Sequence, residues 1–373
     1  MADLFDYLHW RGDILFSQVP PTPVDTLIFS ALSYIRWNDV LKENALDPVS
    51  LRQAADHFFQ LDNIQERVRS KNDLTLLKMA AATPRFGDVG LCFYRDIFIA
   101  AEDTQFSAMT VLLQDGTALL VYRGTDQTLT GWKEDLNMTF QEHVPAQGLA
   151  LTYLKEYAAS SDRPLRLCGH SKGGNLAVYA AAKCGPELQA RILEVYNHDG
   201  PGFREPMMKD PGYLAIVPRV RTYVPQSSVV GMLLEHEEPY SIIKSTSIGL
   251  LQHEPYSWSV MGGDFLKMEE RDTSSKFVDQ TLRLWMDSMT PEERSNFVDT
   301  LFSMLQSSGA ERVNELMKPR NLLNYLKILS TDEKTRDILS EQIGELIDSI
   351  SAASEQLERD SDAKSSKDEE QTQ

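Results

Sequence analysis

The feature that most constrains this chain is a Gly-x-Ser-x-Gly pentapeptide at residues 169–173, which reads Gly-His-Ser-Lys-Gly. An apolar run, Leu165 to Cys168, precedes it, and an alanine-rich segment, Asn175 to Lys183, follows it. A strand, a sharp turn that carries a serine and a helix, in this order, form a nucleophile elbow. The glycines let strand and helix pack closely around a strained serine. The pattern predicts that Ser171 is a nucleophile and that the Lys172 N–H faces a developing oxyanion. The alternative is a strand–helix turn with an incidental serine.

The hydrophobic periodicity around this motif indicates the fold class. Residues 1–85 follow a helical period, and short β-like runs begin near residue 90, with an Asp-Gly hairpin turn at residues 115–116. Strands and helices then alternate as far as a strand at residues 220–224. This order predicts a mixed, mostly parallel sheet with helices on both faces. We therefore expect an α/β-hydrolase fold with additional N- and C-terminal helices.

Composition and periodicity together divide the chain into four predicted segments. The last twenty residues are polar and almost free of apolar side chains, as is typical of disorder. The predicted segments are a helical part of the hydrolase domain at 1–85, the α/β-hydrolase core at 86–265, a C-terminal helical region at 266–353 and a disordered acidic tail at 354–373.

The overall composition excludes several function classes. The 373 residues carry a formal charge of −18, which argues against binding to nucleic acid or to anionic membranes, although an acidic surface is also a common solubility feature. Cys92, Cys168 and Cys184 suit neither a zinc site nor a disulfide framework, and the apolar contexts of Cys168 and Cys184 predict buried free thiols in a reducing compartment. The sequence has no signal-peptide pattern, no long apolar run and no phosphate- or metal-binding motif. We expect a cytoplasmic protein without cofactor or metal.

A second motif lies upstream of the elbow. Residues 122–125 read Tyr-Arg-Gly-Thr, and residues 132–136 read Trp-Lys-Glu-Asp-Leu. An oxyanion hole needs a second N–H donor from an early strand–helix loop, and Thr125 is placed to supply it, with its hydroxyl as a further donor. Together with the elbow, these motifs resemble the class 3, fungal-type triacylglycerol lipases over about residues 90–255. The whole chain looks closer still to a group of bacterial lipase-like hydrolases. The resemblance implies that Ser171 is the nucleophile, that Thr125 and Lys172 form the oxyanion hole, and that Arg123 and Asp135 are structural.

The serine needs a histidine as general base, which in α/β-hydrolases comes last in the chain. Chain order excludes the histidines before the elbow, and His170 in the elbow is expected to pack. His253, after the last predicted strand, fits the order and matches a His-x-x-x-x-Trp-like segment of the resembled family. His236 is the alternative base, and either histidine can also be a surface residue.

The orienting acid is the role in which the sequence departs from the resembled lipases. Their Asp follows a later strand, in a segment that here reads Val-Pro-Gln-Ser-Ser-Val-Val-Gly at residues 224–231, without a carboxylate. Asp199, which follows the preceding predicted strand at residues 192–197, is the replacement we predict, although Asp before Gly-Pro is also a common turn residue. Glu235 is a weaker alternative. The third is a Ser–His dyad oriented by Ser228 or by a backbone carbonyl.

These residues predict a serine hydrolase, lipase- or esterase-like, that cleaves a carboxylic ester through an acyl-enzyme on Ser171. A small or monoacyl lipid ester is the expected substrate, with no stable membrane insertion and no nucleic-acid partner. The alternative is a non-catalytic binding or regulatory protein on a hydrolase fold, since fold alone does not establish activity. In either case the C-terminal helices are a candidate surface for a protein partner.

Overall fold

The computed structural model describes residues 1–126, 128–269, 273–310, 312, 315–316 and 318–370. The chain divides into two compact units, Met1–Arg271 and Asp272–Gln373. The first unit contains all the strands of the described residues and all the site residues predicted from the sequence. It also contains the N-terminal helices, which pack into the same core as the sheet.

The first unit is built on one mixed sheet. Its strands are β1 (Val49–Ser50), β2 (Gly90–Ile99), β3 (Thr104–Leu112), β4 (Ala118–Tyr122), β5 (Leu165–His170), β6 (Ile192–His198), β7 (Val220–Pro225), β8 (Tyr240–Ile243), β9 (Val260–Met261), β10 (Asp264–Phe265) and β11 (Lys267–Met268). In the described residues the order is β1-β2-β3-β4-β5-β6-β7-β8-β11, with β9 and β10 as a separate pair. Strands β1 to β4 pair antiparallel, β4 to β8 parallel, and β11 antiparallel to β8. The sheet thus extends beyond the strand at 220–224 that was predicted to close it.

The sheet is covered on both faces, because alternate residues of its central strands enter two different cores. Leu119 and Val121 of β4 belong to the core that contains the N-terminal helices, whereas Leu120 and Tyr122 belong to the core on the opposite face. Alternation with period two places successive side chains on opposite faces of a strand. A β4 that is apolar at every position therefore needs helices on both sides, as the sequence predicted.

The helices follow the predicted order. In the first unit they are α1 (Leu4–Arg11), α2 (Pro23–Leu32), α3 (Leu51–Phe58), α4 (Lys71–Ala82), α5 (Pro84–Gly87), α6 (Leu129–Asn137), α7 (Pro145–Ser160), α8 (Lys172–Lys183), α9 (Pro186–Gln189), α10 (Glu205–Met208) and α11 (Pro211–Ile216). Thr22, Ser70 and Thr128 cap the N-termini of α2, α4 and α6 with their side-chain oxygens. Cys168 and Cys184 are buried and free, as predicted, and so is Cys92.

The second unit is helical, as predicted for this part of the chain. It contains α12 (Thr273–Ser288), α13 (Pro291–Ser307), α14 (Pro319–Thr331) and α15 (Glu333–Glu370). Helix α15 continues to Glu370, where a disordered tail was predicted from residue 354. Residues 354–370 contain neither glycine nor proline, so nothing in this segment interrupts a helix that has already begun. In the described part of the chain, no helix is both long and apolar enough to cross a membrane.

Candidate active site

The elbow has the backbone geometry that the pentapeptide predicts. Strand β5 ends at His170, helix α8 begins at Lys172, and Ser171 between them has φ 59° and ψ −136°. A serine in this left-handed region is strained and is held there by its surroundings. The Ser171 N–H donates to the His198 carbonyl at 2.9 Å, and its own carbonyl accepts from the Gly174 N–H at 2.8 Å.

The glycines around the serine are required by close backbone contacts. A Cβ on Gly173 would lie 2.1 Å from the Tyr122 carbonyl oxygen of β4. A Cβ on Gly169 would lie 2.1 Å from the Gly173 backbone. Helix α8 therefore approaches the sheet so closely that side chains are excluded at both positions. This is the physical reason for glycine on both sides of the serine.

The structure brings Asp199 and His253 together. His253 Nδ1 lies 2.7 Å from Asp199 Oδ2, and the carboxylate is completely buried while the imidazole is 26% exposed. An ionised carboxylate only accepts hydrogen bonds, so Nδ1 carries the ring proton and Nε2 keeps its lone pair. His253 thus has the tautomer of a general base.

Asp199 follows strand β6 in a left-handed conformation, with φ 53°. Its other carboxylate oxygen, Oδ1, accepts a hydrogen bond from the Ser228 hydroxyl at 2.5 Å. Ser228 was an alternative orienting group for the histidine, and in the structure it contacts Asp199 instead. The segment after β7 therefore contributes a hydroxyl that fixes the acid.

The turn that carries Asp199 also contacts the elbow. The residue before it, His198, accepts the Ser171 N–H, and a Cβ on the residue after it, Gly200, would lie 2.5 Å from the Ser171 carbonyl oxygen. The serine and the acid are therefore held on adjoining turns at the carboxyl ends of neighbouring parallel strands, where ligands bind in open α/β sheets.

His253 is held in place by a group of residues that begins in the elbow. His170 Nε2 lies 2.8 Å from the His253 carbonyl oxygen, and the two imidazole centroids are 4.5 Å apart. His170 Nδ1 lies 2.9 Å from the Tyr34 hydroxyl, and the Arg69 guanidinium sits 3.6 Å above the Tyr34 ring. Burial lowers the pKa of His170 well below its usual range, so it stays neutral and donates one hydrogen bond to His253.

Arg69 also contacts the neighbour of the base. Its guanidinium pairs with Glu254 at 3.1 Å, and its side chain is 17% exposed. The residue after His253 is thus fixed to the N-terminal helical part of the chain. Sequence reasoning predicted that His170 packs, but it gave no role to Tyr34, Arg69 or Glu254, which lie far from the motifs in sequence.

The loop of Thr125 lies against the elbow, as an oxyanion hole requires. A Cβ on Gly124 would lie 3.1 Å from Ser171 Cβ and 2.4 Å from the His170 carbonyl oxygen, so only glycine allows this approach. The Thr125 hydroxyl donates to the Asp135 carboxylate, with oxygen–oxygen distances of 2.7 and 2.6 Å. Its single proton is therefore directed at Asp135, which differs from the prediction that this hydroxyl is a further oxyanion donor.

Asp135 and Arg123 have the structural contacts that the resembled family implies. Burial raises the pKa of the Asp135 carboxyl to about 6, against the opposing effects of the Lys172 charge and the Thr125 hydrogen bond. Arg123 is buried and pairs with Asp96 at 2.8 Å. Lys172 is the first residue of α8, where backbone N–H groups have no partner within the helix.

The alternative base and acid are placed differently. His236 is buried with Nδ1 3.0 Å from Glu238 and Nε2 2.7 Å from the Gly231 carbonyl oxygen, so both ring nitrogens are engaged. The Glu238 contact raises the pKa of His236 although burial opposes it. The Glu235 side chain is exposed, and its backbone pairs with Phe203. In the described residues, no group of histidine, cysteine and acidic side chains suits a metal ion.

Two solved structures are similar to part of this chain. The chain is similar to a Rhizomucor miehei lipase in complex with its propeptide, at 17% identity over 68% of this chain and 74% of that chain, with a TM-score of 0.39. It is also similar to MDLA from Penicillium cyclopium, at 14% identity over 64% of this chain and 84% of that chain, with a TM-score of 0.37. These scores are low, so the fold assignment depends on strand order and elbow geometry.

A comparison with curated proteins finds no match. The first unit nevertheless has the fold of a lipase-like α/β-hydrolase, as its two sequence motifs predicted. The Mbeg1-like family model matches residues 80–303, a range that includes the elbow, the Thr125 loop, Asp199 and His253. Because the match covers more than half of the chain, the protein belongs to the Mbeg1-like family.

Proposed function

We propose that this protein is a serine hydrolase that cleaves carboxylic esters through an acyl-enzyme on Ser171. The observation that carries the proposal is the 2.7 Å contact between His253 Nδ1 and the buried carboxylate of Asp199. A buried carboxylate that accepts the Nδ1 proton of a histidine is the arrangement that orients a general base. The family and the fold support hydrolase chemistry. The arrangement of Ser171, His253 and Asp199 supports the more specific proposal of a serine nucleophile.

In the proposed mechanism, His253 Nε2 removes the Ser171 proton as Oγ attacks the ester carbonyl carbon. The backbone N–H groups of Thr125 and Lys172 stabilise the oxyanion of the tetrahedral intermediate. His253 then protonates the leaving alcohol, and an acyl-enzyme remains on Ser171. Water, activated by the same imidazole, releases the acid and restores the serine. Asp199 stabilises the imidazolium in both steps without itself taking the proton.

The proposed substrate is a small ester or a monoacyl lipid ester. Exposed apolar residues next to the base support an apolar acyl group, since Ile248 is 80% exposed and Leu251 69% exposed in the segment that leads to His253. Apolar surface beside a reactive centre favours an apolar ligand. A cytoplasmic location and a protein partner for the C-terminal helices remain predictions.

The test is covalent labelling by a fluorophosphonate probe, which reacts with activated serines. We expect the wild type to be labelled and Ser171→Ala to be unlabelled, with Ser160→Ala, at the exposed end of α7, as a control that keeps the wild-type rate. Hydrolysis of p-nitrophenyl butyrate should follow the same order. A folded wild type that neither reacts nor hydrolyses would instead indicate a non-catalytic binding protein. A Ser171→Ala protein that still hydrolyses the ester would contradict the site assignment.

A further inference from the structure

The side chain of Lys172, the residue after the nucleophile, is buried in a complete set of hydrogen bonds. Its ammonium lies 2.7 Å from Glu134 Oε2, 2.9 Å from the Gln105 carbonyl oxygen and 3.2 Å from Gln105 Oε1. The Lys172 and Glu134 side chains are both 0% exposed. All three ammonium donors are therefore used, and the charge is compensated inside the protein.

Glu134 is itself held from several directions. Its Oε2 also accepts from the Gln105 N–H at 3.2 Å, and its Oε1 accepts from the Ala146 N–H at 3.0 Å. The carboxylate thus joins the start of α7 and strand β3 to the ammonium of Lys172. Since Lys172 begins α8, this cluster fixes the N-terminus of the elbow helix to α6, α7 and β3.

The same cluster reaches the second candidate oxyanion donor. Asp135, which follows Glu134 in α6, accepts the hydroxyl of Thr125. Gln105 Oε1, which binds the Lys172 ammonium, also accepts from the N–H of Asp126, the residue after Thr125, at 3.4 Å. Adjacent carboxylates of one helix therefore hold the side chains of the two residues whose N–H groups face the oxyanion.

Stability alone does not explain a buried ion pair at this position. Taking two charges out of water costs free energy, and apolar residues of similar size are often as stable or more so. An oxyanion hole, in contrast, depends on exact donor placement, because its donors must already point at the charge that develops. Fixed carboxylate and ammonium groups provide directional contacts that apolar packing lacks.

We propose that Lys172 and Glu134 are positioning residues, which act through their side chains to fix the spacing of the Thr125 and Lys172 backbone donors. This assignment rests on the proposed function, since it gives the pair a role in ester hydrolysis. The side chains themselves do not contact the substrate. Removing the pair should weaken binding of the transition state and leave binding of the ground state almost unchanged.

The test is the double variant Lys172→Met with Glu134→Gln, which removes both charges and keeps the side-chain sizes. With p-nitrophenyl butyrate we expect kcat to fall by about 10- to 100-fold, somewhat less than for loss of a whole oxyanion donor, while KM changes less than about threefold. The inhibition constant of a trifluoromethyl ketone, which forms an oxyanion on the serine, should rise by a similar factor to the fall in kcat. The variant's urea midpoint reports whether the fold is kept.

Lys183→Met is the matched control, because Lys183 lies at the other end of the same helix. Its ammonium pairs with the Asp210 carboxylate at a distance of 2.6 Å. We expect it to keep the wild-type kcat. A folded double variant with wild-type kcat and inhibitor affinity would overturn the positioning role, whereas an inactive wild type would overturn the proposed function instead. If the double variant does not fold, the same kinetic measurements are made on the single variant Glu134→Gln. If that variant does not fold either, the ion pair is needed for stability and the proposal is rejected.

Discussion

The acid and the base of the proposed site differ in their exposure to solvent. Asp199 is fully buried and adopts a left-handed backbone, whereas the His253 ring keeps one nitrogen directed away from the acid. A buried carboxylate with partners on both oxygens is fixed in one orientation. The acid can therefore determine the tautomer of the base, although it comes from a different strand than in the resembled lipases.

We expect Asp199→Asn to lower kcat for p-nitrophenyl butyrate by about 10³- to 10⁴-fold, because an amide no longer stabilises the correct imidazole tautomer and its cation. Glu235→Gln tests the other carboxylate considered from the sequence and should leave kcat unchanged. Glu235→Gln should unfold at the wild-type urea midpoint, whereas Asp199→Asn should unfold at a lower one, because its amide NH2 faces a hydrogen-bond donor. A large loss of rate in Glu235→Gln alone would mean that the acid is misassigned.

The titration of Asp135 predicts a pH dependence of stability. Burial raises the pKa of this carboxyl in the folded protein to about 6, above its unfolded value of 3.8, so the folded state binds the proton more tightly. This contribution to stability is complete below the unfolded pKa and is lost as the pH rises through about 6. Relative to Asp135→Asn, the wild type should lose on the order of 3 kcal/mol between pH 4 and pH 8, as an upper limit.

Urea unfolding of both proteins at the two pH values measures this difference, and subtracting the variant removes the titration of all other groups. A wild type that gains stability relative to the variant as the pH rises would show that the Asp135 pKa is lowered. The Thr125 hydrogen bond and the Lys172 charge would then outweigh burial.

Among the elements, the N-terminal helical part connects most directly to the base. Tyr34 follows α2 and Arg69 precedes α4, and both lie before residue 80, where the family match begins. Tyr34 contacts His170, which binds the His253 carbonyl, and Arg69 pairs with Glu254, the residue after the base. The helices before the family match are thus joined to the residues of the proposed site and do more than cover the sheet.

We expect Arg69→Ala to reduce kcat by about tenfold with little change in KM, because a loosened His253 affects proton transfer more than substrate binding. Arg67→Ala is the matched control, since Arg67 pairs with the exposed Asp39 at 2.8 Å and should keep the wild-type rate. Steady-state kinetics with p-nitrophenyl butyrate distinguish the two. Equal kcat values for both variants would show that the N-terminal helical part does not position the base.

At the scale of the whole molecule, the residues of the proposed mechanism lie within one compact unit. Ser171, His253, Asp199, Thr125 and Lys172 all belong to Met1–Arg271, and both hydrophobic cores consist of residues of this unit. A domain with its own core can fold independently.

We therefore expect a chain that ends at residue 271 to unfold cooperatively and to react with the fluorophosphonate probe at a rate within about threefold of the full chain. Thermal unfolding followed by circular dichroism and the rate of labelling measure the two properties. The same truncation with Ser171→Ala is the control for specific labelling. A truncated chain that folds but no longer reacts would show that the second unit contributes to the site.

The sequence by itself determined the features that depend on neighbouring residues. Glycines on both sides of Ser171, the apolar run before it and the helix after it are all encoded within residues 165–183, so the elbow and the fold class could be predicted. Helix boundaries are encoded less clearly: within the segment at 1–85 that was predicted to be helical, a 3₁₀ turn at Ile64–Arg67 is separated from helix α4, which begins at Lys71. There Ser70 caps α4, and this local hydrogen bond competes with a continuous helix.

Only the tertiary structure decided which distant groups meet. Asp199 and His253 are 54 positions apart, and Lys172 and Glu134 are 38 apart, so no local pattern connects them. Chain order excluded the histidines before the elbow as the base, but the acid, its Ser228 contact and the buried Lys172–Glu134 pair depend on how parallel strands bring their carboxyl ends together. Burial is a property of the packed molecule, and it strengthens the hydrogen bonds of the pairs that orient the proposed site.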